Sequence, residues 1–267
     1  MDEAVAPSGR VAGTSARPAR RPSVVGVIGE LLITAGVIVL LYVVWQLWVG
    51  DMIYGAERNA TGSSLSQEWA KEGGVPAPPA PAATDETDEP ASEPAGPVTA
   101  APPVLAEPAD AETFAVMRIP RFGDDYAVPV AGGVTRARTL DPIGIGHYPG
   151  TSMPGQPGNF AVASHRTTWG KPFNRIAELR LGDAIVVETP EGWFTYRFRT
   201  LQYVTPSEVE VLLPVPQAAD VPAGTAYITL TSCSPMFAMT ERIVAYGVFE
   251  SFTPRTAGEP ASLQAVA

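Results

Sequence analysis

Between Gly73 and Asp110 the chain has almost nothing to fold with. The stretch is rich in Pro, Ala and Glu and nearly free of aromatic residues, so it cannot bury enough apolar surface to offset the entropy of ordering. Seven acidic residues (Asp85, Glu86, Asp88, Glu89, Glu93, Glu107 and Asp110) and no basic one lie between Pro76 and Ala111. A Pro-rich segment of this kind extends at about 3 Å per residue and acts as a spacer. The segment beyond it, from Glu112 onward, is long enough for one good domain of roughly 100–200 residues. The spacer also carries much of the formal net charge of -10, since from Glu112 to Pro254 thirteen acidic residues face eleven basic ones, a net of -2. The balance excludes a basic nucleic-acid-binding footprint.

Ahead of the spacer, Leu31–Val49 is a nineteen-residue, nearly uncharged run. At about 1.5 Å per residue it crosses a hydrocarbon core of roughly 30 Å. Trp45 and Trp48 fall where an interfacial aromatic belt lies. Arg10, Arg17, Arg20 and Arg21 precede the run and Asp51 follows it, an asymmetry that puts the N-terminus in the cytoplasm and the remainder outside. A cleaved signal peptide is the alternative, but its apolar region is usually about 7–15 residues and ends at a small-x-small site that is not found close by here. The expected organisation is a cytoplasmic tail over 1–23, a transmembrane anchor over 24–50 and an extracytoplasmic linker over 51–111. A folded domain over 112–254 and a disordered tail over 255–267 complete it. Within the linker, Leu65, Trp69 and the charges around them allow a short amphipathic helix over 56–72.

The folded domain reads as mainly β. Apolar, β-branched segments occur at Phe114–Ile119, Tyr126–Val130, Asn159–Ser164, Ala184–Glu188, Trp193–Val204, Ala226–Cys233 and Arg242–Phe252. Turn signals such as Pro157-Gly158-Asn159 and Leu181-Gly182-Asp183 separate them. Seven or more short strands with this punctuation predict a sandwich or a barrel. Only Phe173–Leu179 and Ser207–Leu213 read as short helices, with Ser207 a candidate N-cap.

Cys233 is the only cysteine, which excludes an intramolecular disulfide and any thiolate metal cluster. The two histidines, His147 and His165, have no carboxylates at metal-ligand spacing, so no metal or organic cofactor is expected. A lone cysteine in an apolar strand is more often core than catalytic. Three features turn that around. Cys233 stands at the end of its strand, before Ser234-Pro235, which halts the ladder. A free thiol outside the cytoplasm is exposed to oxidation, so keeping one implies a use. His165 and Arg242 end and begin neighbouring strands, and cations of this kind favour a thiolate. A thiol, an imidazole and a guanidinium are the parts of a cysteine acyl-transfer site.

With these motifs the chain resembles the sortases, membrane-anchored cysteine transpeptidases of Gram-positive bacteria, and is most similar to the class E branch of high-GC actinobacteria. The matching segments are Met117-Arg-Ile-Pro-Arg121 with Tyr126-Ala-Val-Pro-Val130, Gly146-His-Tyr-Pro-Gly-Thr151, Gly158–Arg166, Leu179-Arg-Leu-Gly-Asp183 and Thr229-Leu-Thr-Ser-Cys-Ser-Pro235, with Arg242 nine places after the cysteine. The resemblance implies a closed eight-stranded β-barrel with short helices. It implies Cys233 as nucleophile, His165 as general acid/base and Arg242 as the group that steadies the oxyanion or the substrate. It further implies sorting-signal-bearing surface proteins as substrates and an amine acceptor such as a peptidoglycan precursor. Thr231 matches a position that lines the family's groove, while Ser232 and Ser234 depart from residues common there, Thr and His.

His147, in the turn Gly146-His-Tyr-Pro-Gly150, and Trp169, beside the His165 strand exit, are further candidates for lining that groove. Two rival readings remain: an L,D-transpeptidase, whose motif places Gly directly before Cys where this chain has Ser232, and a non-catalytic membrane-tethered β-domain.

Overall fold

β-branched and aromatic residues, cut by turns at short intervals, build eight strands. They are β1 (Thr113–Arg118), β2 (Val128–Gly132), β3 (Ile145–His147), β4 (Gly158–Ser164), β5 (Ala184–Thr189), β6 (Gly192–Val204), β7 (Ala226–Ser234) and β8 (Glu241–Pro254). This computed structural model describes residues 23–45, 49–72 and 100–264. The strands close into a barrel in the order β1-β2-β3-β4-β7-β8-β6-β5, and β5 pairs back onto β1. Two neighbouring pairs are parallel, β2 with β3 and β4 with β7. The sequence pattern finds every strand except β3, which is too short for alternation to register and sits in a Gly/Pro-rich turn.

Inward-facing Phe160 and Val162 of β4, Phe194 and Tyr196 of β6, and Ile228 and Leu230 of β7 fill the barrel. Each such side chain contributes about 1.5–3 kcal/mol on burial. The Tyr196 hydroxyl accepts a hydrogen bond from the Gly155 amide at 2.7 Å, so the core carries it without a penalty. The two expected short helices are single 3₁₀ turns, Ile176–Glu178 and Val209–Leu212. Ser207 does not cap the second; the preceding turn is closed by the Glu208 carboxylate, which accepts from the Thr205 amide at 2.6 Å.

The chain divides into two units, Met1–Trp45 and Gln46–Ala267. In the first, α1 (Val24–Val44) is capped by Ser23, whose hydroxyl accepts from the Gly26 amide at 3.0 Å. Its mean hydropathy of 2.6 and its 21 residues are enough to cross a membrane. The N-terminal arginines, Trp48 and spacer residues 73–99 lie outside the described residues.

Two parts of the expected linker and most of the expected tail are ordered. A helix, α2 (Gly50–Glu72), lies against the barrel. Its buried residues are Gly50, Arg58 and Gly62, and a Cβ at Gly62 would stand 2.1 Å from the Ala127 carbonyl oxygen. The helix expected over 56–72 thus exists but begins earlier, at Gly50, and at Gly62 it docks by close backbone approach and not by an apolar stripe. Ala100 bridges to Phe252, Asp110 bridges to Gly132, and Leu105 packs on the core. After β8 the chain forms 3₁₀ turns at Arg255–Ala257 and Ala261–Leu263, with Leu263 packed against the cluster of Ala184, Val186 and Trp193. That segment is not disordered because Arg255 pins it: its guanidinium lies 4.6 Å from the Trp193 ring and 3.2 Å from the Glu188 carboxylate.

Candidate active site

Strand direction gathers the three chemically important residues. β4 and β7 are parallel, so both finish at the same rim of the barrel, and antiparallel β8 starts there. The last β4–β7 partners are Ala163 and Thr231. Continuing that register by two residues sets His165 beside Cys233. On the other side of β7, Cys233 is the direct ladder partner of Arg242. All three line one cavity of about 490 Å³, together with Tyr148, Thr231 and Ser232.

Cys233 is half-buried, and its backbone carbonyl accepts from Arg166 Nη1 at 3.4 Å. His165 Nε2 lies 2.7 Å from Asp141 Oδ1. With that nitrogen donating to the carboxylate, Nδ1 holds the lone pair of the neutral ring and is the atom left to exchange a proton. Burial pushes the imidazole pKa down; the hydrogen bond and charge of Asp141 pull it up, and the charges of Arg136 and Arg58 oppose them. The net result lies below the ordinary histidine value. Arg242 Nη1 donates to the carbonyls of Met239 (3.1 Å) and Glu241 (2.9 Å). These bonds fix the guanidinium without neutralising it. The arrangement can therefore supply a nucleophile, a proton carrier and a fixed positive charge to one reacting centre.

Thr231 and Ser232 stand in the cavity wall as expected, but their hydroxyls are engaged. Thr231 Oγ1 donates to the Val162 carbonyl at 3.2 Å and meets the Tyr148 hydroxyl at 3.0 Å. Ser232 Oγ donates to the Ser164 carbonyl at 2.7 Å. These bonds stitch β7 to β4 beneath the reacting residues.

His147 is not a groove residue. It is 1% exposed, stacked on Phe160 at 5.1 Å, with Nε2 facing Thr151 Oγ1 at 2.9 Å. Its neighbour Tyr148 is the member of that turn that reaches the cavity. Trp169 also lies off the cavity wall, its ring 5.5 Å from that of Tyr54 on α2.

Asp141, Arg166 and Tyr148 are the site residues that sequence reasoning missed. Asp141 follows the turn Arg136–Leu140 and has no strand pattern to mark it. Arg166 directly follows His165, and its position on the strand exit was the one available signal.

A model of the Sortase domain matches residues 117–250. Sortase SrtE1 of Streptomyces coelicolor is 35% identical over 268 aligned residues, covering 97% of this chain and 67% of that protein. The chain belongs to the sortase family. Among solved structures, a sortase E1 from Streptomyces coelicolor with a tripeptide in its active site is 36% identical with a TM-score of 0.54, over 59% of this sortase and 99% of that chain. The SrtA sortase from Actinomyces oris gives 34% identity and a TM-score of 0.58, over 61% and 93% respectively. This chain is thus a sortase-family transpeptidase similar to class E sortases, and its closed barrel is the sortase fold.

Proposed function

We propose that this sortase cuts a C-terminal sorting signal of the LAxTG or LPxTG type between Thr and Gly and joins the Thr carbonyl to an amine. The observation that carries the reading is the meeting of Cys233, His165 and Arg242 on one cavity at a single barrel rim. The Cys233 thiolate attacks the Thr carbonyl, and the Arg242 guanidinium faces the oxyanion that develops. A fixed donor in this role is worth roughly 10²–10³ in rate. Collapse breaks the Thr–Gly bond as protonated His165 gives its proton to the departing glycine amine, leaving a thioester on Cys233. An acceptor amine then attacks the thioester, neutral His165 takes the amine proton, and the thiolate is released.

The apolar edge of the cavity suits the signal's leading leucine: Phe237 is 81% exposed and Met239 67%. Helix α1 anchors the protein with its N-terminus in the cytoplasm and its barrel outside. There it attaches surface proteins to a peptidoglycan precursor. The test is trapping of the acyl-enzyme with an LAxTG peptide and the full-length protein in detergent. Wild type accumulates the adduct and Cys233→Ala gives none; an equal adduct in the variant overturns the mechanism. His165→Ala and Arg242→Ala are expected to lower turnover by about 10²-fold or more, and full turnover in either removes its assigned role.

A further inference from the structure

A second cavity, of about 190 Å³, lies between α2 and the barrel, away from the Cys233 rim. Its walls carry Arg58 and Asn59 of α2, Tyr126, and Lys171, Asn174 and Arg175 from the loop after β4, with no carboxylate among its lining residues. Arg58 is 6% exposed. One of its nitrogens, Nη2, donates to the Asp141 carbonyl, while Nε and Nη1 are buried without a partner. The Tyr126 hydroxyl is likewise buried and unpartnered. Native interiors pair almost every polar group, and a buried charge without compensation is costly. Burial already pushes the Arg58 pKa down against the pull of Asp141 and Asp51. Arg175 is matched by Glu178 at 2.7 Å, which leaves Arg58 and Lys171 as the charges on this wall without a side-chain ion pair among the described residues.

Orphaned donors, two unmatched cations and a wall free of acids describe the complement of an oxyanion. We propose that this cavity binds a phosphate-type anion, held by Arg58, the Tyr126 hydroxyl and Lys171. The anion would tie α2 to the loop after β4. That loop also supports the catalytic rim, since the Phe173 amide donates to the His165 carbonyl at 3.0 Å and Asn174 Nδ2 to the Arg166 carbonyl at 2.9 Å. The phosphate has two possible sources, free inorganic phosphate and the headgroup of an anionic phospholipid. α2 follows the apolar helix α1 closely in the sequence, so the second source is within the chemistry of a membrane-anchored chain.

The test uses the full-length protein in dodecyl maltoside, which contains no phosphate, titrated with inorganic phosphate at constant ionic strength while its unfolding temperature is followed. A saturable rise is expected. Lys171→Gln, a change on a half-buried loop, should weaken the apparent Kd by about tenfold, the worth of one charge-assisted hydrogen bond. Arg58→Met should abolish the response. Repeating the titration in phosphatidylglycerol nanodiscs separates the sources. Loss of the phosphate response there, with the protein already stabilised, assigns a lipid headgroup; a persistent response assigns the free anion. No saturable shift in detergent, or an identical one in wild type and Lys171→Gln, overturns the site.

Discussion

His165 is held between opposing pressures, and its neighbour Asp141 decides how they balance. Burial and the charges of Arg136 and Arg58 favour the neutral ring, while the 2.7 Å bond to Asp141 and its charge favour the imidazolium. In Asp141→Asn the favourable charge goes and the hydrogen bond loses its charge assistance, while the unfavourable influences stay, so the His165 pKa falls further. In the proposed reaction its protonated form donates to the leaving amine, so the alkaline limb of the kcat/KM profile should move to lower pH. Each unit of movement removes about tenfold of the imidazolium above the pKa. An unmoved limb takes Asp141 out of this role. That Cys233, His165 and Arg242 share one cavity was legible because each stands at or next to a strand end. Asp141 was not, because its contact with His165 is made through space from an irregular turn. His147 misled for a definite reason: successive residues around a strand point to opposite faces, so the groove received Tyr148 and the core received His147.

Helix α2 shows how hydrophobic patterning can mark part of an element, here 56–72, and still miss its start at Gly50 and the face by which it docks. Gly50, Arg58 and Gly62 are its buried residues, none of them a large apolar side chain. Replacing a glycine inside a helix by alanine normally stabilises by about 1 kcal/mol. At Gly62 the sign should reverse, because the added Cβ would stand 2.1 Å from the Ala127 carbonyl oxygen and 3.3 Å from a Val116 methyl. The first of these is backbone and cannot rotate away. Overpacking of this kind costs about 1–3 kcal/mol, more than the propensity gain. Gly62→Ala should therefore lift α2 from β2 and raise amide exchange across 50–72 by about tenfold, with β7 and β8 unchanged. Unchanged exchange in α2 would mean that the helix is held elsewhere along its length. The strands themselves were far more legible, since their period-two patterns and the turns between them are local properties of the chain.

At the scale of the whole molecule, one carboxylate joins segments that are remote in sequence. Glu188 on β5 accepts from Ser66 of α2 at 2.8 Å, from Arg118 of β1 at 3.4 Å and from Arg255 beyond β8 at 3.2 Å. Arg255 in turn lies between Trp69 of α2 (5.8 Å) and Trp193 of β6 (4.6 Å). Composition could not reveal this assembly, because Ser66 of the linker and Arg255 of the tail are ordered by one distant polar partner as well as by the few apolar residues around them. Side-chain exposures of 7% for Arg255 and 1% for Glu188 put the pair in the buried regime, where an exposed pair would matter little. Glu188→Gln leaves Arg255 buried without its counter-charge, a change that costs about 3 kcal/mol. For a chain of this size that corresponds to a fall of roughly 6–12 °C in Tm. Arg255→Met alone should also destabilise, since it leaves the buried Glu188 with Arg118, at 3.4 Å, as its one remaining counter-charge. The double variant buries neither charge of the pair, so its loss should be smaller than the sum of the two single losses. Strict additivity in that thermal-unfolding cycle would show that Glu188 and Arg255 act independently, and that the tail is held by its tryptophan contacts and its bonds to backbone carbonyls.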